Sequence, residues 1–199
     1  MCMKRRSTTY VVPHRRRREG KTDYRKRTQL LKSRKPRFVV RKSANNITCQ
    51  IVTYSQKGDV TVVSADSGEL KKAGGWKGHG GNICAAYLTG YLCGLTATNK
   101  KTSEAILDAG LYRSTKASRI YAALKGALDA GLKIPHSEDI LPDESRISGK
   151  HVEAYAAQLL SSDKERYKKL FSHYLKNNLK PEQFSQHVAE VKARLKPPI

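Results

Sequence analysis

Residues 83–97, ICAAYLTGYLCGLTA, decide the fold of this 199-residue chain. The stretch carries no charge, but it is shorter than the roughly 20 apolar residues that a membrane-spanning helix requires. Gly90, Gly94 and several Thr and Tyr side chains also argue against a span. We therefore predict a helix over 82–97 that is buried on most sides, with small residues that allow close packing on a sheet. We expect a soluble protein with no membrane partner.

Three short strands are predicted before this helix. They cover 37–42 (RFVVRK), 47–54 and 60–65. The second strand alternates apolar and polar residues, which is typical of a strand with one buried face. Two turns join the strands. The first is at Asn45-Asn46, since Asn tolerates the left-handed backbone conformation, and the second is at 56–59. An antiparallel meander follows from these short connections.

Two more elements are predicted after the helix. Residues 104–109 (EAILDA) form a short buried strand, and 117–130 form an amphipathic helix that Gly131 closes in the left-handed conformation. The whole pattern predicts an α/β fold with a mixed, mainly antiparallel sheet packed with helices. We assign residues 37–135 to this core domain.

The chain changes character after Pro135. Residues 137–165 hold seven acids against three bases, and apolar residues then recur at helical spacing. We predict a helical C-terminal extension over 136–199 that packs against the domain or a neighbour. Its three helices are predicted to begin at Gly149, at a capping-box pattern of Ser162 with Glu165, and at Pro181.

The N-terminal end of the chain is much more basic than the rest. The protein has 39 Lys+Arg against 17 Asp+Glu, a formal net charge of +22. Residues 1–42 contain 17 of these bases with only Glu19 and Asp23 as acids, a net of +15. This gradient predicts a basic, extended N-terminal arm over 1–36 that binds a polyanion.

The arm is the strongest candidate RNA-binding segment. Guanidinium groups bind phosphate oxygens in pairs and stack on bases, and tyrosines stack on unpaired bases. A solvated or nuclear-targeting run is the plainer interpretation of four arginines alone, but fifteen bases over 4–37 favour nucleic acid. The candidate contacts are Arg5, Arg6, Tyr10, Arg15, Arg16, Arg17, Arg18, Lys21, Tyr24, Arg25, Lys26, Arg27, Lys32, Arg34, Lys35 and Arg37.

The glycine loop, residues 74–81, is a second candidate. Glycines before a helix N-terminus can expose backbone N–H groups to an anion. In this loop Lys77 and His79 would bind RNA phosphates, and Trp76 would stack on a sugar or base. It is not a Walker loop, because no Lys-Ser/Thr pair follows the last glycine. The alternative, equally weighted, is a flexible linker in which Trp76 covers the core.

The segment 112–119 is a third candidate, with Tyr112, Arg113, Lys116 and Arg119 at the entry to the predicted helix. Helix N-termini ordinarily prefer acidic residues. Basic residues at this position therefore favour a phosphate partner.

Catalytic and metal-binding patterns are weak. Asp108 and the acids of 138–144 pair with no nucleophile, and Cys2, Cys49, Cys84 and Cys93 form no CxxC motif. A zinc site of His79, Cys84 and Cys93 is conceivable but lacks the usual spacing. We predict free thiols in a reducing cytosol, and no catalytic residue, metal or cofactor. The protein is not expected to be an enzyme.

The residues now suggest a family. Five co-linear stretches resemble the universal large-subunit ribosomal protein eighteen family, and the ending soon after the last helix resembles its archaeal members. The stretches are RRRREGKTDYRKR (15–27), RFVVRKSANNITCQI (37–51), GGNICAAYLTGYLCGL (80–95), ALKGALDAGLKIPHS (123–137) and YKKLFSHYLKNNLKPEQF (167–184).

The resemblance implies a cytoplasmic, structural protein of the large ribosomal subunit that binds 5S rRNA and helps attach it to the large-subunit rRNA in the central protuberance. Its implied partners are both RNAs, a neighbouring 5S-binding ribosomal protein of the fifth large-subunit family and other large-subunit proteins. Family RNA contacts map onto Arg15 to Arg18, Lys21, Tyr24, Arg25, Arg27, Arg113, Lys116 and Arg119. The alternative is another RNA-binding or DNA-binding basic protein.

Overall fold

The predicted buried helix is present as Ile83–Asn99 in the computed structural model, which describes residues 8–195. In chain order the elements are α1 Arg15–Arg18, α2 Tyr24–Lys32, β1 Arg37–Lys42, β2 Ile47–Ser55, β3 Gly58–Asp66, α3 Glu69–Gly74, α4 Ile83–Asn99, β4 Ile106–Asp108, α5 Arg119–Asp129, α6 Glu144–Ser148, α7 Lys150–Ser162, α8 Lys164–Leu170, α9 Ser172–Lys176 and α10 Phe184–Arg194, with 3-10 turns at Glu138–Ile140 and Pro181–Gln183.

The sheet has the order β3-β2-β1-β4. Strands β1, β2 and β3 are antiparallel, and β4 pairs parallel with β1. A parallel neighbour requires a crossover, which α4 provides after β3. The predicted α/β class with a mixed, mainly antiparallel sheet is confirmed.

Alternation along β1 gives the sheet two different faces. Phe38 and Val40 are fully buried on the inner face, which packs on α4 and α5. Arg37, Val39 and Arg41 point to the outer face, because successive side chains of a strand point to opposite sides. The inner face therefore forms part of the hydrophobic core, and the outer face is the one that the N-terminal arm can contact.

Helices α4 and α5 touch through their backbones. A Cβ atom on Gly90 would lie 2.0 Å from the Ala123 carbonyl oxygen, and one on Gly126 would lie 2.0 Å from the Tyr87 carbonyl oxygen. The buried hydroxyl of Thr89 donates to the carbonyl of the preceding turn, so this polar group is satisfied inside the core. The small residues do allow close packing, but Gly90 and Gly94 pack on α5 and not on the sheet as predicted.

The C-terminal extension packs on the core of its own chain. Phe184 and Val191 are fully buried in the same hydrophobic cluster as the inner sheet face and α4. Lys192 on α10 donates to the hydroxyl of Tyr87, which in turn donates to Asp129 on α5. The domain boundary at 135/136 stays a prediction, since apolar packing is continuous across it.

Several local predictions differ from the structure. Helix α3 was not predicted, and β4 spans three residues instead of six. The predicted capping box is wrong, because Asp163 accepts the first-turn N–H of Arg166 while Ser162 donates back to the Gln158 carbonyl. Across residues 8–195, no helix combines the length and the apolar character needed to cross a bilayer.

Replacing Gly90 with Ala tests the contact between α4 and α5. Ala normally stabilises a helix relative to Gly by roughly 0.5–1 kcal/mol. Here the added methyl group would overlap the Ala123 carbonyl, so we expect the free energy of unfolding to fall by about 1–3 kcal/mol. Urea unfolding followed by circular dichroism measures the change.

Gly68→Ala is the matched control. Gly68 has an ordinary φ of −67°, and an added Cβ would lie 3.1 Å from the Asp66 carboxylate, with no backbone of another element within reach. Equal stabilities for Gly90→Ala and Gly68→Ala would contradict the tight helix contact.

Candidate nucleic-acid interface

A cleft of about 1070 Å³ lies between the arm and the outer face of the sheet. Its floor is the outer face of β1 and β2, and its walls are the arm up to α2 and the 109–114 loop after β4. Seven Lys and Arg residues line it against three Asp residues. The basic lining residues are Arg16, Lys21, Lys26, Arg27, Arg37, Arg41 and Arg113, and the tyrosines are Tyr24 and Tyr112.

Asp23 starts the arm helix α2. Its carboxylate accepts hydrogen bonds from the N–H groups of Arg25 and Lys26 at 3.0 and 3.3 Å. A capping carboxylate satisfies the free N–H groups of the first turn and complements the helix dipole. The Tyr24 ring packs 4.9 Å from the His14 ring, so this candidate stacking residue is half-buried. The arm therefore contains a helix at Tyr24–Lys32.

An ion-pair network joins the arm to the sheet. Arg27 binds both carboxylate oxygens of Asp59 at 2.9 Å, and Arg37 bridges Asp59 at 2.6 Å and Asp108 at 2.9 Å. Arg41 donates to Asp108 at 3.1 Å. Three cations therefore share two carboxylates. We call Arg27, Asp59, Arg37, Asp108 and Arg41 the arm–sheet network.

The network corrects one predicted contact. Arg37 is only 4% exposed, and both of its terminal nitrogens are bonded to carboxylates. Its guanidinium is thus a structural group that holds β1, β3 and β4 together. The prediction that Arg37 contacts RNA directly is wrong in this structure.

The network also sets the ionisation of its carboxyls. Hydrogen bonds from Arg27, then from Arg37, hold the pKa of Asp59 below its ordinary value despite partial burial. Burial alone would raise the pKa of Asp108, but the charge of Arg41 and several hydrogen bonds outweigh burial and lower it. Both groups are therefore carboxylates at neutral pH.

Most candidate cations of the arm are exposed. Lys35 pairs with Glu104 at 2.7 Å, and Glu19 forms ion pairs with Arg15 and Lys21 at 3.6 and 3.0 Å. Such exposed pairs exchange readily for phosphate, since each contributes little stability. The exposed candidates are Tyr10, Arg15, Arg16, Arg17, Arg18, Lys21, Arg25, Lys26, Lys32, Arg34 and Lys35. Arg5 and Arg6 lie outside the described residues.

The candidate residues of 112–119 differ in exposure and in hydrogen bonding. Arg113 lines the cleft and is exposed, as is Lys116 outside it. The hydroxyl of Tyr112 donates to the Lys42 carbonyl. Arg119 donates to the Gly81 carbonyl at 2.7 Å, so its guanidinium already fixes the end of the glycine loop. The arm and the start of this segment thus form one surface.

The glycine loop differs from its predicted role. Trp76 is 2% exposed and stacks on His187 with ring centroids 5.3 Å apart, which makes it a core residue. Trp76 covers the core, as the alternative predicted, and its ring is not available to a sugar or base in this structure. The loop is not the flexible linker of that alternative, because Lys77 is hydrogen-bonded on both sides. Lys77 is exposed, and His79 is half-buried with its Nδ1 accepting the Gly81 N–H at 3.0 Å.

The N-terminus of α4 is capped by a side chain of its own loop. The Asn82 side chain already accepts the Ala85 N–H at 2.6 Å, which occupies the helix cap. A Cβ on Gly81 would lie 2.3 Å from the Ala44 carbonyl oxygen. This glycine is therefore required by close packing on the β1–β2 turn, and the anion site at this helix N-terminus stays a prediction.

Two contributors to the surface were not predicted. Arg41 lines the cleft, and Asp59 anchors Arg27. The alternation of RFVVRK places Arg41 on the same face as Arg37, so Arg41 could have been found. Asp59 could not, because it comes near Arg27 only when the arm folds over the sheet.

The zinc site and the reactive thiols considered from the sequence are not formed by residues 8–195. No group of three or more His, Cys, Asp and Glu among residues 8–195 is placed to hold a metal ion. His79, Cys84 and Cys93 therefore do not come together as a zinc site. Burial raises the pKa of both Cys84 and Cys93 to about 12, which keeps their thiols protonated and unreactive.

Acid should weaken the arm–sheet network. The folded-state pKa values of Asp59 and Asp108 lie below the unfolded ones, so their stabilisation is complete above the ordinary carboxyl pKa of about 3.9. It is lost as the pH falls from there through the lower folded-state values. We expect Tm to fall more steeply below about pH 4 in the wild type than in Asp59→Asn.

Glu190→Gln is the control for this titration. Glu190 pairs with Arg194 on the exposed surface of α10, where one charge contributes little. Its acid profile should follow the wild type. An unchanged profile in Asp59→Asn would contradict the stabilising role of the network.

Known proteins give an independent comparison. A family model described as ribosomal large subunit proteins 60S L5 and 50S L18 matches residues 8–105 and 96–137. The large ribosomal subunit protein uL18 of Methanococcus maripaludis is 55% identical over 186 residues, which cover 94% of this chain and 95% of that protein. The family inferred from the five sequence stretches is thereby confirmed. The chain belongs to the uL18 family of large-subunit ribosomal proteins, among its archaeal members.

Proposed function

We propose that this protein binds 5S rRNA with its basic arm and cleft and helps attach that RNA to the large-subunit rRNA in the central protuberance. Family membership makes the chain a large-subunit ribosomal protein, which works in the cytoplasm. The observation that carries the RNA proposal is the cleft, with seven cations and three carboxylates, beside the exposed run Arg15–Arg18.

Paired and free cations have different tasks in this proposal. Arg27, Arg37 and Arg41 are bound to carboxylates: Arg27 ties the arm to β3, and Arg37 and Arg41 tie strands of the sheet together. The remaining cations of the cleft and arm face solvent and can bind phosphate oxygens. Tyr24 borders the same cleft, where an unpaired base can stack. The protein thus acts by binding and by holding RNA segments in place, without a chemical reaction.

Folded RNA fits this surface better than duplex DNA. Arginines are spread over a concave surface with aromatic side chains, which suits splayed bases and bent phosphate backbones. Among the described residues, no single exposed helix carries the cleft, as a helix reading a major groove would. The partners we propose are 5S rRNA, large-subunit rRNA, the neighbouring 5S-binding protein of the fifth large-subunit family and other large-subunit proteins.

Replacing Arg15, Arg16, Arg17 and Arg18 together with Ala tests the arm. No residue of α1 is buried, so Tm should stay nearly unchanged. Binding to 5S rRNA should weaken, and the slope of log Kd against log salt should fall by about 0.7–0.9 for each phosphate that the variant no longer neutralises. Filter binding over a range of salt concentrations measures both quantities.

The matched control removes four cations from α8. Lys164, Arg166, Lys168 and Lys169 are all exposed, and their replacement with Ala changes the net charge equally. An equal loss of affinity in both variants would mean that only net charge matters. Equal competition by duplex DNA and 5S rRNA in the wild type would favour the alternative of a general nucleic-acid-binding protein.

A further inference from the structure

The C-terminal extension holds the backbone of Lys77 on both sides. The Lys77 N–H donates to His187 Nε2 at 3.2 Å, and the Asn177 side-chain amide donates to the Lys77 carbonyl at 2.9 Å. These partners come from α10 and from the end of α9, at least 100 residues further along the chain. The conformation of the glycine loop at Lys77 is therefore set by the extension.

Aromatic packing also holds the glycine loop against the C-terminal extension. Trp76 lies between the loop and α10, with an edge contact to Phe184 and a stacked contact to His187. A Cβ on Gly78 would lie 2.7 Å from the indole ring, so the chain returns tightly over it. Burial lowers the pKa of His187, which keeps the imidazole neutral and leaves Nε2 as an acceptor at neutral pH.

The Lys77 side chain remains available to a partner. It is exposed, and the ion pairs found among residues 8–195 do not include Lys77, Lys176 or Lys180. Lys176 directly precedes Asn177, Lys180 follows it by three residues, and both are exposed as well. A cation on a fixed backbone loses less conformational freedom on binding than one on a mobile loop.

This cationic surface is separate from the arm cleft. The glycine loop leads into α4, which packs on the inner face of the sheet, whereas the cleft lies over the outer face. No residue of the glycine loop, α9 or α10 lines the cleft, so RNA at Lys77 would be a contact in addition to the cleft.

We propose that Lys77, Lys176 and Lys180 bind the phosphates of a second RNA segment, and that Asn177 and His187 are positioning residues through which the extension presents Lys77. The inference rests on the proposed function and adds a second contact to it. RNA is favoured over a protein partner because Trp76 and Phe184 are turned into the core. The loop thus offers charge without the aromatic anchors typical of protein interfaces.

A double-mutant cycle tests the proposal. The full chain, bound to 5S rRNA of Methanococcus maripaludis, is titrated with large-subunit rRNA of that organism freed of 5S rRNA. Lys77→Ala and Asn177→Ala should each weaken this second binding, and Lys77→Ala should lower its salt slope by about 0.7–0.9. The double variant should bind no more weakly than Lys77→Ala, because Asn177 acts through Lys77.

His187→Phe separates positioning from packing. The phenylalanine keeps a ring against Trp76 and removes the acceptor for the Lys77 N–H. It should therefore weaken the binding of large-subunit rRNA when Lys77 is present, and cause no further loss in a chain that already carries Lys77→Ala. Lys101→Ala is the charge control, since exposed Lys101 lies past the opposite end of α4. Additive effects in the double variant, or equal weakening by Lys77→Ala and Lys101→Ala, would overturn the proposal.

The outcomes also distinguish this inference from the proposed function. A wild-type chain that fails to bind 5S rRNA contradicts the proposed function. Normal 5S binding with second binding unchanged in Lys77→Ala contradicts the inference alone. The inference is also wrong if Lys77→Ala changes only the capture of ribosomal proteins. Lys77→Ala removes only an exposed side chain, so it remains informative even if Asn177→Ala destabilises the fold.

Discussion

The backbone contact between α4 and α5 is the constraint on which the rest of the structure depends. With glycine at positions 90 and 126, each helix reaches the carbonyl oxygens of the other, and no side chain separates them. The pair forms a thin layer that the inner face of the sheet covers from one side. Helix α10 reaches the same layer through Lys192 and Tyr87. The sheet with its outer face and the extension with its loop are thus positioned by one helix pair.

Charge is used in two ways on this frame. Inside the arm–sheet network, Asp59 and Asp108 neutralise much of the charge of three arginines and turn them into structural links. A buried guanidinium without such partners would be strongly destabilising. Outside the network, the exposed cations of the arm keep their charge for a polyanion. A net charge of +22 is therefore compatible with a folded domain, because Arg37, the buried cation among residues 8–195, is paired.

Pattern and composition predicted much of this arrangement. The uncharged stretch 83–97 predicted the buried helix. The runs 37–42, 47–54 and 60–65, of which the second alternates apolar and polar residues, predicted β1, β2 and β3 with nearly correct ends. Short or interrupted elements were harder. Helix α3 has six residues and no clear apolar period, and the cap of α8 moved by one residue because Asp163 accepts a first-turn N–H more directly than Ser162. Neighbouring caps of similar strength are not separated by sequence alone.

The sequence by itself determined the class of fold, the basic arm and the family, because hydrophobic period, charge density and motif order are local properties of the chain. Only the tertiary structure decided which basic and aromatic residues are available. Arg37 and Trp76 looked like contacts and are buried, while Lys77 stays exposed beside Trp76. The reason is physical: exposure depends on partners such as Asp59, Asp108 and His187, which lie far along the chain and meet these residues only after folding.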